Sequence, residues 1–462
     1  MGMALRTWSL PVAGFTGVTV LVVTSGLPGS AAVRLMLGLT GMGVVVLAWL
    51  GMRAAPVREL YRIAAAWCLP LLFARPLFSG DVHSYLAQGL TAARGLDPYR
   101  LGPLAALGAD SPVTQQVSVY WQDTPAPYGP VWLAISRTIA RVAGENLLVT
   151  VVLHRLVELA GLVLVAWALP RLARRMGVSP GAALWLGLLN PLVLWHVVGG
   201  AHNDGLMMGL VLAGPELALT GLAEPLRLVA GLTLLTVAAN VKIVAAAALC
   251  CVGADLARRW GRTTGRGVLV MLGVLAGFVL LSLVIAAVTG LGLGWVGTLG
   301  DSAGLHSWLA PTNQLGFLVG GLGMLAGASI TSAAISVTVH LGAVVGAVAG
   351  AGVLVAVATG RWHPLTGLGV VFAAMLVTGP VVQPWYLLWA VLPLAASLRA
   401  ERARRPLVLV SVAGALLLPP VGGSVPVLVA AYLGAAVLVA MVWPSLAKER
   451  ADHSPGAVRV GV

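Results

Sequence analysis

The sequence predicts an all-α polytopic membrane protein, and three observations carry that prediction. Of its 462 residues, 59% are hydrophobic and only 9% are charged, whereas a soluble domain carries about 25% charged residues. Four stretches, 267–300, 302–360, 362–398 and 406–447, contain no Asp, Glu, Lys or Arg. Each exceeds the roughly 20 apolar residues that cross a bilayer as a helix. A large soluble core would need amphipathic elements to cover it, and these runs have no polar face to offer. Lastly, the formal net charge is +13, but the arginines cluster in short connections between apolar spans. That is the positive-inside pattern of a membrane protein, not a nucleic-acid-binding face, so no nucleic-acid partner is expected.

Apolar spans fall at about 9–27, 33–52, 61–79, 147–169, 181–199, 205–222, 267–290, 335–359, 365–381, 385–398, 407–422 and 425–443. With the shorter segments 129–144, 227–252 and 315–331, this gives about 12–14 spans. The first apolar segment is followed by a second one and not by a cleavage site, so it reads as a retained helix. Connections 53–62, 171–175, 258–266, 361, 399–405 and 448–450 are basic and belong in the cytoplasm. Connections 80–128, 199–204, 292–314 and the turn at 382–384 are poor in positive charge and belong outside. Parity then requires 129–144 to stay at the membrane surface or at half depth. It also requires 227–252 to be broken or re-entrant, as membranes tolerate where a cavity is lined. The alternative makes both full spans and places 171–175 outside, against the charge rule. The expectation is one transmembrane domain over 1–462, without a separate soluble domain, whose first long outer loop is 80–128. Cys68, Cys250 and Cys251 lie in apolar stretches without metal spacing and read as small core residues.

Loop 80–128 holds Asp81, Asp97, Asp110 and Asp123, four of the fifteen acids. Asp81 follows an apolar span directly, ahead of His83 and Tyr85. A carboxylate at the mouth of a membrane cavity is partly desolvated, which raises its pKa and suits it to base chemistry. By position Asp81 reads first as the N-cap of a helix from 81 to 93, and both roles can hold together. Asp97-Pro98-Tyr99 is a turn signal. Pro127-Tyr128-Gly129-Pro130 opens an apolar helix with a proline near its start. Ionisable residues within the membrane are expensive, so each is a candidate for function. His154, Arg155 and Glu158 share one helix face, either as a self-satisfied ion pair or with Arg155 binding a lipid phosphate. His202-Asn203-Asp204 forms a tight polar turn after Asn190-Pro191. Lys242, one of only two lysines, sits in apolar 227–252, where it either snorkels or meets an anion. Gln383-Pro384-Trp385-Tyr386 is a proline-broken aromatic turn, and His306, Trp308 and Asn313 populate another outer loop. Such aromatics stack on sugars or mark the headgroup layer.

In this order, Asp81, Asp97-Pro98-Tyr99, Tyr128-Gly129-Pro130, Asn190-Pro191, His202-Asn203-Asp204, Val241-Lys242 and Pro384-Trp385-Tyr386 resemble the GT-C membrane glycosyltransferases. More closely, they resemble the actinobacterial polyprenyl-phosphate-mannose-dependent α-(1→6)-mannosyltransferases of the lipomannan core, over roughly residues 60–400. The Arg-rich, Lys-poor composition is similar to that of such GC-rich genomes. The resemblance implies a GT-C helical bundle in the cell membrane with its active site on the extracytoplasmic face. It implies Asp81 as general base, and polyprenyl phosphate leaving from the anomeric carbon with inversion. It implies a sugar pocket shaped by Asp97, His202 and Asp204, and a phosphate steadied by Arg155 or Lys242. The remaining candidates for substrate contact are His83, Tyr85, Tyr99, Tyr128, Asn203, His306, Gln383, Trp385 and Tyr386. The implied partners are a polyprenyl-phosphate sugar donor, a glycolipid or mannan acceptor and membrane lipids. Metal use differs within the superfamily; no cofactor is expected, and no metal, because acids do not cluster at metal spacing, although Asp204 could still serve as a ligand. Two alternatives stay open: a GT-C enzyme using an arabinosyl or glucosyl donor, and a lipid-linked glycan transporter or flippase, for which no internal repeat is evident.

Overall fold

The computed structural model describes residues 9–220, 224–261, 263–303 and 307–452. Among these residues every regular element is helical. The chain opens with α1 (Ser9–Gly26), α2 (Ala31–Gly51) and α3 (Val57–Leu71). A loop module follows, with α4 (Asp81–Ala93), the short α5 (Pro103–Leu107), α6 (Pro112–Gln116) and α7 (Val119–Gln122), and then α8 (Pro130–Ala143). Next come α9 (Leu147–Arg175), α10 (Pro180–Leu186), a π-helical turn (Val193–Gly199), α11 (Asp204–Thr220), α12 (Pro225–Val241) and α13 (Ala246–Trp260). The remainder is α14 (Thr264–Thr289), α15 (Trp295–Ala303), α16 (Pro311–Leu325), α17 (Thr331–Ala358), α18 (Pro364–Thr378), α19 (Leu387–Ser397), α20 (Glu401–Leu417) and α21 (Val425–Asp452).

Local chemistry sets many of these boundaries. Asn146 caps α9 by accepting from Val149 N at 3.1 Å, and prolines start α8, α12, α16 and α18 where no amide donor is needed. Among the described residues, five helices are long and apolar enough to cross a membrane: α2, α9, α14, α17 and 425–444 of α21. Their most apolar windows are 50% and 44% buried in α2 and α9, but only 6%, 17% and 11% in α14, α17 and α21. The first two are therefore central, and the last three turn their apolar surface outward, as lipid contact requires. The protein is a multi-pass membrane protein. Helices α9 and α11 cross so closely that Gly161 lies against the backbone of Gly205 and Gly209, where a β-carbon would have no room. Small residues create this seam, because helices in lipid gain from close backbone approach.

Two expected spans end differently from the sequence reading. The span drawn over 61–79 is helical only to Leu71, after Pro70, and residues 72–80 run on without a helix. The span drawn over 181–199 is interrupted at Asn190-Pro191 and resumes as a π-helical turn. Asn190 bonds the Ser411 hydroxyl at 2.8 Å and accepts from Leu192 N at 3.0 Å, so the freed backbone is satisfied locally.

The 227–252 segment is broken, as parity required. Gly214 of α11 packs on Leu235, and Gly231 packs on Ala218, so α12 returns toward the start of α11. Lys242 is extended (φ −151°, ψ 120°) and interrupts the helix. Helix α13 then leaves again, since Cys251 approaches Gly367 and Arg258 lies beside Gly360. Helices α12 and α13 thus form a hairpin with Lys242 at its tip, and α8 starts on that tip through Gly129 N to Val241 O at 3.3 Å. The basic connections meet away from it: Arg53 pairs with Glu401 at 3.5 Å, and Arg399 bonds Met176 O at 2.6 Å. Of the cysteines only Cys251 is buried, and Cys250 is exposed, so Cys250 is not a core residue.

Candidate active site

Asp81, His202, Asp204, Trp385 and Tyr386 converge at the Lys242 tip. Asp81 is the first residue of α4, and Gly80, not Asp81, occupies the N-cap position. The cap reading therefore gives way. Asp81 Oδ1 accepts from the Ser79 hydroxyl at 2.8 Å, and Oδ2 lies 3.3 Å from His202 Nδ1. The second pair is close enough for an ion pair but lacks hydrogen-bond alignment. The His202 ring is stacked on Trp385 at 3.7 Å between centroids and 20° between planes. The Asp81 side chain remains 26% exposed, against 1% for His202, so one carboxylate stays reachable beside a sealed imidazole.

Asp204 begins α11, where a carboxylate is favoured by the helix dipole. Lys242 Nζ donates to both Asp204 oxygens at 3.0 Å, and Trp389 Nε1 donates to Oδ1 at 2.6 Å. The ammonium also lies 4.4 Å from the Tyr386 ring centre and 5.1 Å from that of Trp389. Lys242 thus pairs with a carboxylate of the protein itself. Trp389 was not flagged in the sequence, although it lies one helical turn beyond Trp385. Tyr85 stands edge-on to Tyr128 and Trp132 at 5.4 and 4.9 Å. Among the described residues, both polar side-chain atoms of Asn203 are buried without a hydrogen-bond partner.

The pKa of Asp81, which lies outside the membrane-spanning helices, runs against expectation. Burial pushes it up, but the His202 ring, the Ser79 hydroxyl and the Lys242 charge outweigh burial and hold it below the usual carboxylate value. Asp81 is consequently in its basic form across ordinary pH.

Other candidates fall elsewhere. Asp97 Oδ1 accepts from Tyr99 N at 2.9 Å and closes a turn. Tyr99 packs with Ala126, Leu133 and Trp295 in a separate cluster. Asn313 ties its loop to the 380 turn through Ser307 O and Pro380 O at 2.7 and 2.8 Å. Gln383 precedes the 3-10 turn Pro384–Tyr386 without capping it by its side chain. His306 lies outside the described residues.

Arg155 is placed as a structural staple. Nε bonds Val198 O at 2.8 Å, Nη1 bonds Leu72 O at 3.0 Å and Ala74 O at 2.6 Å, and Nη2 bonds Arg75 O at 3.2 Å and Gly199 O at 2.6 Å. Guanidinium has five N–H donors, so none remains for a phosphate. Arg155 does not pair with Glu158 either. Glu158 Oε2 accepts from Leu206 N at 2.9 Å and caps α11. Among the described residues, no three His, Cys, Asp or Glu side chains converge as a metal-binding group.

A family model described as alpha-(1->6)-mannopyranosyltransferase, N-terminal domain, matches residues 4–258, and an MptB C-terminal domain model matches 312–444. The chain belongs to the MptA/MptB family. It is 41% identical over 395 residues to a probable alpha-(1->6)-mannopyranosyltransferase of Mycolicibacterium smegmatis, covering 79% of this chain and 71% of that one. It is 41% identical over 378 residues to an alpha-(1->6)-mannopyranosyltransferase of Mycobacterium tuberculosis, covering 71% and 64%. It is 35% identical over 447 residues to alpha-(1->6)-mannopyranosyltransferase B of Corynebacterium glutamicum, covering 89% and 74%. No solved structure matches the chain. The family match extends beyond residues 60–400 in both directions, so the motif-free helices after 400 belong to it as well.

Proposed function

We propose that this family member transfers mannose from a polyprenyl-phosphate-mannose donor to a mannan or glycolipid acceptor at the outer face of the membrane. The new bond is an α-(1→6) linkage made with inversion. The family's mannosyltransferase relatives support the sugar and the linkage. The observation that carries the mechanism is Asp81: an ionised, reachable carboxylate with one oxygen fixed by Ser79 and the other turned to His202. Asp81 takes the proton of the acceptor hydroxyl as its oxygen attacks the anomeric carbon. The bond from that carbon to the phosphate oxygen breaks on the opposite face, and polyprenyl phosphate leaves with the electron pair. Asp204 is fully engaged by Lys242 and Trp389, which makes it the brace of the pocket. The outer placement rests on the charge rule, since the site lies away from the basic connections.

The test is transfer from labelled polyprenyl-phosphate-mannose to a short mannoside by the purified protein. Asp81→Asn should lower kcat by about 10²–10⁴-fold while thermal stability and donor binding persist. Near-normal turnover by that variant would remove Asp81 as the base. A lipid flippase would form no disaccharide bond, and a preference for another sugar donor would rename the substrate.

A further inference from the structure

A groove of ≈ 750 Å³ opens against the Asp81 loop. One wall is the non-helical segment with Arg75, Phe78, Ser79 and the start of α4 with His83; the other is the apolar 418–421 turn between α20 and α21. Arg75 is the charged side chain lining it, and no acid lines it. We infer that Arg75 is the phosphate anchor of the donor, holding the phosphate of a polyprenyl-phosphate sugar while its isoprenoid chain lies along the apolar wall. This rests on the donor class proposed above and assigns it a place.

Four observations support the assignment. First, Arg75 is exposed, and among the described residues its guanidinium has no ion pair or hydrogen bond. The other two cations near the site are committed, Arg155 to five carbonyls and Lys242 to Asp204. Second, the Arg75 backbone is held in place, since Arg155 bonds its carbonyl and those of Leu72 and Ala74. Arg155 is thereby a positioning residue for the cation. Third, the groove lies next to the base, because Ser79 in its wall donates to Asp81 Oδ1 at 2.8 Å. Fourth, the walls are joined by Phe78 N to Pro420 O at 2.9 Å, with Phe78 in the left-handed region at φ 67°. A bulky residue there is strained, and such strain persists where surrounding structure enforces it.

The charge balance fits the reaction. The donor phosphodiester carries one negative charge, and the departing phosphate monoester gains a second. A guanidinium favours the departing form most, and its planar fork suits two phosphate oxygens. The apolar wall leads into α21, whose most apolar window is only 11% buried, so the wall continues the apolar surface that an isoprenoid chain favours.

The experiment uses the full chain in lipid nanodiscs, comparing wild type with Arg75→Ala, Arg75→Lys and Arg75→Glu. Binding of polyprenyl phosphate, uncharged polyprenol, phosphatidylglycerol and inorganic phosphate is measured directly, and donor KM and kcat are measured with saturating acceptor. Arg75→Ala should weaken polyprenyl phosphate binding and raise donor KM about tenfold or more, with polyprenol binding and melting temperature unchanged. Arg75→Glu should be worse, and Arg75→Lys should partly restore binding. Unchanged polyprenyl phosphate binding in Arg75→Ala overturns the inference. So does inorganic phosphate binding as tightly as the lipid, or an Arg75 effect confined to phosphatidylglycerol. If wild type binds polyprenyl phosphate through Arg75 but transfers no mannose, the proposed function fails and the anchor stands. If wild type transfers mannose with no dependence on Arg75, the function stands and the anchor fails.

Discussion

Arg155→Lys separates a structural staple from a phosphate ligand. Arginine satisfies five carbonyls on the 72–75 and 198–199 segments. Lysine has three donors on one nitrogen and no fork, so at least two of those carbonyls lose their partner. Leaving a buried acceptor unsatisfied costs about 1–3 kcal/mol, giving roughly 2–6 kcal/mol for two. The side chain is fully buried, so water offers little relief. The assay pairs thermal unfolding in detergent with donor KM at a temperature where both proteins are folded. The expected result is a melting temperature several degrees lower, with reduced kcat as Asp81 and Arg75 lose their fixed backbone. A phosphate ligand would lose only the bidentate fork, so lysine would weaken donor binding without unsettling the fold. An unchanged melting temperature with a selective rise in donor KM would therefore refute the staple and restore the phosphate role.

The other predictions concern the same pocket. Asp204→Asn leaves Lys242 buried beside a neutral partner and should destabilise by about 3–5 kcal/mol; the double variant Asp204→Asn/Lys242→Met should recover much of that loss in a double-mutant cycle of unfolding. Because the Asp81 pKa is depressed, its base form is present above the usual carboxylate range and is lost only as pH falls through its lowered value. The acid limb of kcat/KM should lie below that of an ordinary aspartate, and His202→Phe should move it upward, as read from a pH profile. Gly161→Val should push α9 from α11 and cost about 1–3 kcal/mol of stability, measured by thermal unfolding, because its β-carbon would meet the Gly205 backbone.

Charge scarcity and arginine placement decided that this chain lives in a bilayer and which connections gather together. They did so because hydrocarbon tolerates almost no unpaired charge, so every Asp, Glu, Lys and Arg is informative in one dimension. Parity also located the break in 227–252, and Asp81, His202, Asp204, Lys242 and Trp385 stood out as polar or aromatic residues in apolar surroundings. What such rarity cannot convey is the partner. Asp97 and Tyr99 were as conspicuous as Asp81, yet they close a turn and pack a satellite cluster. Arg155 was as conspicuous as a phosphate ligand would be, yet it binds carbonyls whose sequence distance from it is 43 to 83 residues. Trp389 looked like one more apolar residue until its indole was found on Asp204.

The sequence by itself determined the solvent of this protein, the order of its helices and a short roll of polar residues, because hydrophobic burial and charge cost are summed residue by residue along the chain. Only the tertiary structure decided which of those residues meet. Hydrogen bonds and ion pairs depend on direction and on separations of about 3 Å. The helix crossing at Gly161, the broken tip at Lys242 and the stapled segment before Asp81 set those separations.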